Sequence, residues 1–126
     1  MAKKNTFKNI FKTRNFMISL NLAVKGIIYL FLYHRNMRLI FISGILVFLS
    51  GIYLKLKGIE LVALCITITL VFMAEIFNTA IELMMDALTE EYHVKIKLIK
   101  DIAAGVVLLA CLNALGVGYV LLFKKI

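Results

Sequence analysis

The architecture of this chain follows from one segment, residues 61–85, which reads LVALCITITLVFMAEIFNTAIELMM. Residues 61–74 carry no formal charge, and an apolar run of this kind is typical of a helix that crosses a bilayer. Two glutamates, Glu75 and Glu82, then interrupt the run. A carboxylate in a membrane helix costs about 2.5–3.5 kcal/mol on insertion scales, so such residues are interpreted first as functional. The segment therefore predicts a transmembrane helix that carries an acidic site.

Four polar side chains fall on one face of the predicted helix. With about 100° of rotation per residue, Glu75, Asn78 and Glu82 lie within about 60° of one another. Asp86 continues the same face, and we call these four residues the polar stripe. One asparagine would be explained by a polar contact between packed helices, but three carboxylates in register require a cation or a positively charged partner. Both interpretations, a structural seam and a functional site, are open at this point.

The composition of the whole chain excludes an ordinary soluble domain. Of its 126 residues, 63% are hydrophobic, and the mean hydropathy is +0.97. Soluble domains contain about 45–50% apolar residues. Further apolar segments at 39–54 and 102–123 flank the central one, and the chain contains no proline that would mark a linker. We predict an all-α membrane protein of one domain over residues 1–126, with three transmembrane helices at about 38–55, 58–86 and 100–123.

The net charge of +8 is informative about membrane topology. Basic residues cluster before the first span and again between the second and third, at Lys95, Lys97 and Lys100, and they form no groove-sized patch on a soluble fold. We therefore expect no nucleic-acid partner. The positive-inside rule predicts a multi-pass protein whose N-terminus and 86–101 connection are cytoplasmic, while the 55–60 loop and the C-terminus face outside.

The N-terminal region, residues 5–34, predicts a helix that lies on the membrane rather than across it. Basic residues such as Lys8 and Lys12 are mixed there with aromatic residues such as Phe11 and Phe16. This mixture suits an amphipathic helix in the cytoplasmic headgroup layer. An extended soluble arm would carry fewer apolar side chains, so we favour the surface helix.

Three short strings in the second half of the chain carry a family resemblance. They are EIFNTAIE at 75–82, followed by Asp86, then EYH at 91–93 and KDIAAG at 100–105. In residue types and in spacing they closely resemble the prokaryotic diacylglycerol kinase and undecaprenol kinase family. The resemblance implies a homotrimer of three-span protomers with a surface helix, placed in the bacterial cytoplasmic membrane. It also implies an enzyme that transfers the γ-phosphoryl group of ATP to a membrane lipid alcohol at the cytoplasmic interface.

The resemblance also implies roles for individual residues. Glu75 corresponds to the general base, Asn78 to a neighbour that orients the reacting groups, and Glu82 to a ligand of the Mg²⁺ bound to ATP. These roles are chemically sensible, because phosphoryl transfer depends mainly on positioning and charge stabilisation. A carboxylate can accept the proton of a lipid hydroxyl, a second can bind magnesium, and a lysine can offset phosphate charge. The nucleotide-binding part of the family corresponds to Glu82, Glu91, Tyr92, His93, Lys100 and Asp101.

One position departs from the family pattern. The family has a second metal-binding glutamate at the start of a Glu-Arg-Asn-like segment before the first span, and this chain has His34, Arg35 and Asn36 there. Magnesium prefers oxygen ligands, whereas imidazole suits zinc, manganese and other transition ions. Three explanations are open: His34 coordinates a different or weakly held metal, a nearby acid such as Glu90 substitutes, or activity is reduced or lost. A lone histidine at an interface is also more often solvated or hydrogen-bonded than a ligand.

The leading hypothesis is an ATP-dependent lipid kinase. Undecaprenol is slightly preferred over diacylglycerol as the substrate, because the Arg35-Asn36 segment resembles the Gram-positive branch of the family. A catalytically impaired homologue that binds nucleotide or lipid is the first alternative, and His34 motivates it. The second is a small cation or multidrug transporter, which would place its carboxylate near the bilayer midplane and would not need the polar segment at 91–101.

Overall fold

The computed structural model describes residues 15–88, 91 and 93–125. A π-helical turn, Tyr119–Phe123, directly follows the α-helix that ends at Gly118. The described helices are long and apolar enough to cross a bilayer, which confirms the prediction of an all-α protein with helices suited to a membrane. In the described ranges the chain forms four α-helices, numbered α1 (Phe16–Tyr33), α2 (Arg35–Tyr53), α3 (Ile59–Leu88) and α4 (Val94–Gly118).

The chain divides into two compact units, Met1–Arg35 and Asn36–Ile126. The first unit contains α1. The second contains α3, α4 and all of α2 after its first residue. The prediction of one domain over residues 1–126 stays a prediction.

Helix α1 occupies most of the segment that was predicted as a surface helix. Asn15 begins it, because the Asn15 side chain accepts a hydrogen bond from the backbone N–H of Ile18 at 3.0 Å. The backbone becomes extended at His34 (φ −124°, ψ 111°), which separates α1 from α2. Residues 5–14 of the predicted helix lie outside the described residues. Because α1 itself qualifies as a span by length and composition, its surface placement and the count of three spans stay predictions.

A tight turn at residues 54–58 joins α2 to α3. Gly58 has φ +63°, a left-handed conformation that glycine adopts without strain. The backbone N–H of Leu56 donates to the carbonyl oxygen of Gly51 at 3.0 Å. Gly51 also lets the two helices approach closely, because a Cβ atom there would lie 2.5 Å from Leu64 Cδ2. Leu56 and Leu64 are both buried, so this turn is closed by tight apolar packing.

Helices α3 and α4 pack against each other more extensively than any other pair of described elements, and they run antiparallel. Lys100 Nζ lies 2.7 Å from Asp86 Oδ1, and Lys125 Nζ lies 3.6 Å from Glu60 Oε2. Exposed ion pairs contribute at most about 1 kcal/mol each to the free energy of unfolding. These two pairs therefore show how the helices are aligned but contribute little to that alignment. We call the end with Asp86 and Lys100 the stripe end, and the end with Glu60 and Lys125 the turn end.

The helices extend beyond the apolar segments from which the spans were predicted. α4 begins at Val94 rather than at about 100, and α3 continues to Leu88, so the polar connection expected over 86–101 is mostly helical. Polarity marks where a segment leaves the hydrocarbon, but it does not stop backbone hydrogen bonding. Lys95 and Lys97 are good helix formers, and no glycine or proline follows until Gly105.

Four hydroxyl groups inside α2 and α3 donate hydrogen bonds within their own helices. Ser43 Oγ and Ser50 Oγ each donate to a carbonyl oxygen one turn earlier at 2.8 Å. Thr67 Oγ1 and Thr69 Oγ1 do the same at 2.8 and 2.9 Å. An unsatisfied polar group in hydrocarbon is costly, and these contacts remove that cost. These hydroxyls therefore need no partner from another helix and do not by themselves mark a site.

Candidate active site

Helix α3 carries the whole polar stripe on one continuous helix, as the spacing predicts. Exposure rises along it: Glu75 is buried, Asn78 is half-buried, and Glu82 and Asp86 are exposed. The stripe therefore leads from a buried carboxylate to the surface at the stripe end. A ligand that spans this distance would meet a desolvated acid at one end and solvated acids at the other.

Glu75 is the buried member of the stripe, with 6% of its surface exposed. The other buried polar side chains of the described residues are Thr67 and Thr79, so Glu75 carries the one buried charge found in that part of the chain. Burial disfavours the ionised form of a carboxyl group, and such residues are rarely retained without a paired or functional role. Burial is therefore compatible with both a polar contact between packed helices and a functional site, and the role of Glu75 as the general base stays a prediction.

Asn78 lies one turn further along the stripe and contacts Glu82. Its Nδ2 donates to Glu82 Oε1 at 3.4 Å, which is a long hydrogen bond. Its Oδ1 atom is buried and has no hydrogen-bond partner. A buried acceptor left unsatisfied costs about 1–3 kcal/mol. The amide oxygen is therefore suited to bind a donor or a cation that a ligand brings.

Lys100 and Asp101, which the family resemblance places in the nucleotide-binding part, lie at the start of α4 in two separate ion pairs. Lys100 bridges to Asp86, and both side chains are more than a third exposed. Asp101 Oδ2 lies 2.6 Å from Lys97 Nζ on the same helix. Lys97 was not predicted as part of the site, although its spacing of four residues from Asp101 is the signal of a helical ion pair. The structure thus brings Lys100 to the polar stripe and pairs Asp101 with Lys97.

The α3–α4 connection carries the remaining residues of the predicted nucleotide-binding part. His93 begins α4 as its N-cap, because its Nδ1 accepts a hydrogen bond from the backbone N–H of Lys95 at 3.2 Å. This capping role was missed by the sequence analysis, in which the start of α4 was placed several residues later. Glu91 lies exposed in the connection. Tyr92 and Glu90 lie outside the described residues, so their predicted roles stay predictions.

His34 stands at the junction between α1 and α2. Its backbone N–H donates to the carbonyl oxygen of Leu30 at 3.0 Å, and its ring centroid lies 6.0 Å from that of Tyr29 in an edge-on arrangement. His34 belongs to the first compact unit, and the polar stripe belongs to the second. Its role as a metal ligand stays a prediction.

The oxygen atoms of the polar stripe are chemically suited to magnesium. In nucleotide sites Mg²⁺ is bound through one or two carboxylates together with phosphate oxygens and waters. Glu82 supplies a carboxylate, and the unsatisfied Asn78 Oδ1 lies beside it. Over residues 15–88, 91 and 93–125, no group of three or more His, Cys, Asp or Glu side chains could hold a metal ion. One carboxylate and one amide oxygen fit the share of Mg²⁺ ligands that side chains supply in a nucleotide site.

A family model for prokaryotic diacylglycerol kinase matches residues 21–122. The matched region includes the polar stripe, the α3–α4 connection and the helix pair. This chain belongs to the prokaryotic diacylglycerol kinase family. It is an enzyme, a membrane lipid kinase, and the resemblance carried by the three sequence strings is confirmed.

A curated relative agrees with the family assignment. The diacylglycerol kinase of Synechocystis sp. is 37% identical over 127 aligned positions, which cover 99% of this chain and 73% of the relative. As a member of the prokaryotic diacylglycerol kinase family, the protein uses ATP as its co-substrate, and kinases of this kind usually require a divalent metal. Neither match supports the transporter alternative.

Proposed function

We propose that the protein transfers the γ-phosphoryl group of ATP to the hydroxyl group of a membrane lipid alcohol, diacylglycerol or undecaprenol, with Glu75 as the general base. The observation that carries this proposal is the burial of Glu75 at the inner end of a polar stripe that reaches the surface. The helix from Leu61 to Glu75 covers about 21 Å of a hydrocarbon core of about 30 Å, so the carboxylate would lie several ångströms below the cytoplasmic edge of the core. At that depth it is accessible to the hydroxyl group of a lipid and poorly accessible to a solute in bulk water. The substrate therefore presents its hydroxyl from the membrane, while ATP approaches from the stripe end.

Glu75 accepts the proton of the lipid hydroxyl as the oxygen attacks the γ-phosphorus, and the bond between the γ-phosphorus and the β–γ bridging oxygen breaks to release ADP. General base catalysis requires the carboxylate to be within hydrogen-bond reach of that hydroxyl, and it typically contributes about 10²–10⁴-fold to the rate. Asn78 lies between Glu75 and Glu82 on the stripe and orients the reacting groups. The remainder of the acceleration comes from positioning two substrates in line within a site of low dielectric constant.

Glu82 and the Asn78 Oδ1 atom would hold Mg²⁺, and the ion when bound supplies neutralisation of charge on the transferring phosphoryl group. Lys100 supplies a second positive charge at the stripe end. Its exposed ion pair with Asp86 is weak, so Lys100 can exchange the carboxylate for a phosphate oxygen when ATP binds. We further propose that Glu91, Tyr92, His93 and Asp101 complete the nucleotide-binding part.

The proposal includes an orientation and an assembly. Lys95, Lys97 and Lys100 favour a cytoplasmic stripe end by the positive-inside rule, and ATP is available on that side. The N-terminus is then cytoplasmic and the C-terminus outside. A site that binds ATP as well as a lipid is easier to build between protomers than on one protomer, so we propose that the functional unit is a homotrimer in the bacterial cytoplasmic membrane.

A catalytically impaired enzyme is the second candidate, and the identity of residue 34 favours it. His34 stands where the family pattern has a metal-binding glutamate, and imidazole is a poor ligand for Mg²⁺. If a different metal or another acid such as Glu90 compensates, turnover is retained; otherwise the protein binds nucleotide or lipid without efficient transfer.

The deciding experiment measures transfer of labelled phosphate from ATP to lipid by purified protein in detergent. Diacylglycerol and undecaprenol are each offered with Mg²⁺, Mn²⁺ or Zn²⁺. We expect a lipid phosphate product with at least one of the two lipids. The active-kinase proposal is overturned if no combination yields product.

The role of Glu75 is tested by Glu75→Gln, with Glu60→Gln as a matched control. Both changes remove a carboxylate from α3, but Glu60 lies at the turn end in an exposed ion pair. We expect Glu75→Gln to lower kcat by about 10²–10⁴-fold. Glu60→Gln should leave kcat near wild type. Undiminished transfer by Glu75→Gln would show that the base lies elsewhere.

A further inference from the structure

An apolar groove with a volume of about 700 Å³ lies in the second unit between α2, α3 and α4. Gly44 lines it from α2, Ile68 and Phe72 from α3, and Cys111 and Gly118 from α4. None of the described side chains that line the groove is charged. A space of this size and chemistry suits a hydrocarbon chain and would reject a polar ligand.

The groove is continuous with the polar stripe. Its wall on α3 includes Leu64, Ile68 and Val71, and Glu75 is the next residue on that face, since eleven residues complete about three helical turns. Phe72, one turn before Glu75, is held by an edge-on contact with Phe41 at 5.6 Å between ring centroids. A molecule that lies in the groove therefore has one end beside the proposed general base.

The register of α3 against α4 sets how far the groove extends from Glu75. With Lys100 paired to Asp86 and Lys125 paired to Glu60, Gly118 is level with Ile68. The seven residues between Ile68 and Glu75 correspond to about 10 Å along the helix. Gly118 therefore lines the groove about two turns below the carboxylate, toward the turn end.

We propose that this groove, which we call the tail groove, holds one hydrocarbon chain of the lipid alcohol while the hydroxyl group lies at Glu75. The inference rests on the proposed function, because it takes Glu75 as the point where the hydroxyl reacts. Lipid tails are as apolar as the groove, so entry from the bilayer brings little hydrophobic gain. The tail groove contributes orientation: it selects lipids whose chain fits and fixes the angle at which the hydroxyl meets the base.

Substitution of Gly118 tests the tail groove at a position where an added side chain begins in open space. No atom lies within 4 Å of a Cβ built at Gly118 or at Gly116, so the two positions are matched at Cβ. Gly118 lines the groove, and Gly116, on the same helix, is exposed and does not. Gly118→Phe therefore fills part of the groove, and Gly116→Phe is a matched control.

The assay compares 1,2-dioleoylglycerol with 1,2-dibutyrylglycerol, whose chains end before Gly118. We expect Gly118→Phe to lower kcat/KM for dioleoylglycerol by about 10- to 100-fold, because a misplaced hydroxyl reacts slowly. The kcat/KM of Gly118→Phe for dibutyrylglycerol should remain near the wild-type value. Gly116→Phe should remain near wild type with both lipids. If the enzyme acts only on isoprenoid alcohols, undecaprenol and the short alcohol prenol form the equivalent pair.

Three results would overturn the tail groove. The first is an equal loss of kcat/KM in Gly118→Phe with the long-chain and the short-chain lipid. The second is no loss of kcat/KM with either lipid. The third is a change of oligomeric state in Gly118→Phe by size-exclusion chromatography with light scattering, which would identify the groove as a contact between copies of the chain. Failure of the general-base proposal is separate, because it appears as retained activity in Glu75→Gln.

Cys111 provides a readout that does not depend on turnover. In a Cys65→Ser background, N-ethylmaleimide reports access to Cys111 in the tail groove. Addition of dioleoylglycerol to the micelles should slow the alkylation of Cys111 in the Cys65→Ser protein that retains Gly118. The lipid should have less effect in the protein that also carries Gly118→Phe. Alkylation at the same rate with and without the lipid would contradict the proposal.

Discussion

The two ends of the α3–α4 pair look alike on the surface and differ underneath. Each has an exposed ion pair between the helices, Asp86 with Lys100 at the stripe end and Glu60 with Lys125 at the turn end. Beneath the stripe end lie a buried carboxylate and an amide oxygen without a partner. Beneath the turn end lies close apolar packing around Gly51. Exposed ion pairs therefore do not distinguish the two ends, whereas burial and unmet hydrogen bonding do.

The difference has an energetic basis. Toward the turn end, the hydroxyl groups of Ser50 and Thr67 donate hydrogen bonds to backbone carbonyl oxygens of their own helices. The apolar packing there stabilises the fold. At the stripe end, Asn78 Oδ1 remains unsatisfied, which lowers stability unless a ligand completes it. A stability cost that is retained at one end and absent from the other is typical of a functional site.

After Glu75→Gln, the largest contrast is expected from Glu82→Gln at the stripe end against Glu60→Gln at the turn end. Loss of the proposed Mg²⁺ ligand should lower kcat/KM for Mg-ATP by about 100-fold and raise the Mg²⁺ concentration needed for half-maximal rate. Titration of the rate with Mg²⁺ at fixed ATP measures both effects. Equal Mg²⁺ dependence in the two variants would remove Glu82 from the metal site.

The turn end should respond through stability instead. Gly51→Ala places a Cβ atom 2.5 Å from Leu64 Cδ2, and overpacking of this kind lowers the free energy of unfolding by about 1–3 kcal/mol. Gly116→Ala, where the added Cβ meets open space, should be neutral or stabilising. Denaturation monitored by circular dichroism in detergent measures the difference. A large loss of kcat in folded Gly51→Ala protein would contradict a purely structural role.

A direct comparison of the two ion pairs is given by Lys100→Ala and Lys125→Ala. Both should change the free energy of unfolding by less than about 1 kcal/mol, because both pairs are exposed. Only Lys100→Ala should raise KM for ATP, by about tenfold, since a hydrogen bond to a charged group contributes about 1.5–3 kcal/mol. Steady-state kinetics with varied ATP distinguishes the two. Similar KM values would show that Lys100, like Lys125, is only a surface ion pair.

The smallest effect is expected from His34→Glu. If residue 34 occupies a metal-ligand position, a carboxylate there should raise Mg²⁺-dependent turnover several-fold and lower the ratio of Mn²⁺ to Mg²⁺ activity. Rates measured with each metal at saturating ATP give this ratio. An unchanged or lower Mg²⁺ rate would show that His34 is not a defective ligand.

The sequence alone predicted the features that depend on a single helix. Glu75, Asn78, Glu82 and Asp86 share a face because helical periodicity is local, and α3 indeed carries them without interruption. The family strings predicted a lipid kinase, which the family match confirms. The roles of these residues, the metal, the trimer and the topology stay predictions.

Features that depend on two helices could not be predicted. The pairing of Lys100 with Asp86 and the level of Gly118 relative to Glu75 require the register of α4 against α3, which no local pattern contains.

The early start of α4 was missed because hydropathy was taken as the guide to helix length. His93 as a helix cap was missed for the same reason, since a cap is recognised only once the helix start is known.

The length of α3 couples the enzyme to the thickness of its membrane. A helix of 30 residues is about 45 Å long, against a hydrocarbon layer of about 30 Å. The helix can slide or tilt to match its surroundings, and each adjustment changes the depth of Glu75 below the headgroups. Vesicles made from phosphatidylcholines of graded acyl length should therefore show an optimum in specific activity, at the thickness that sets the carboxylate level with the hydroxyl of a substrate resting in the same leaflet.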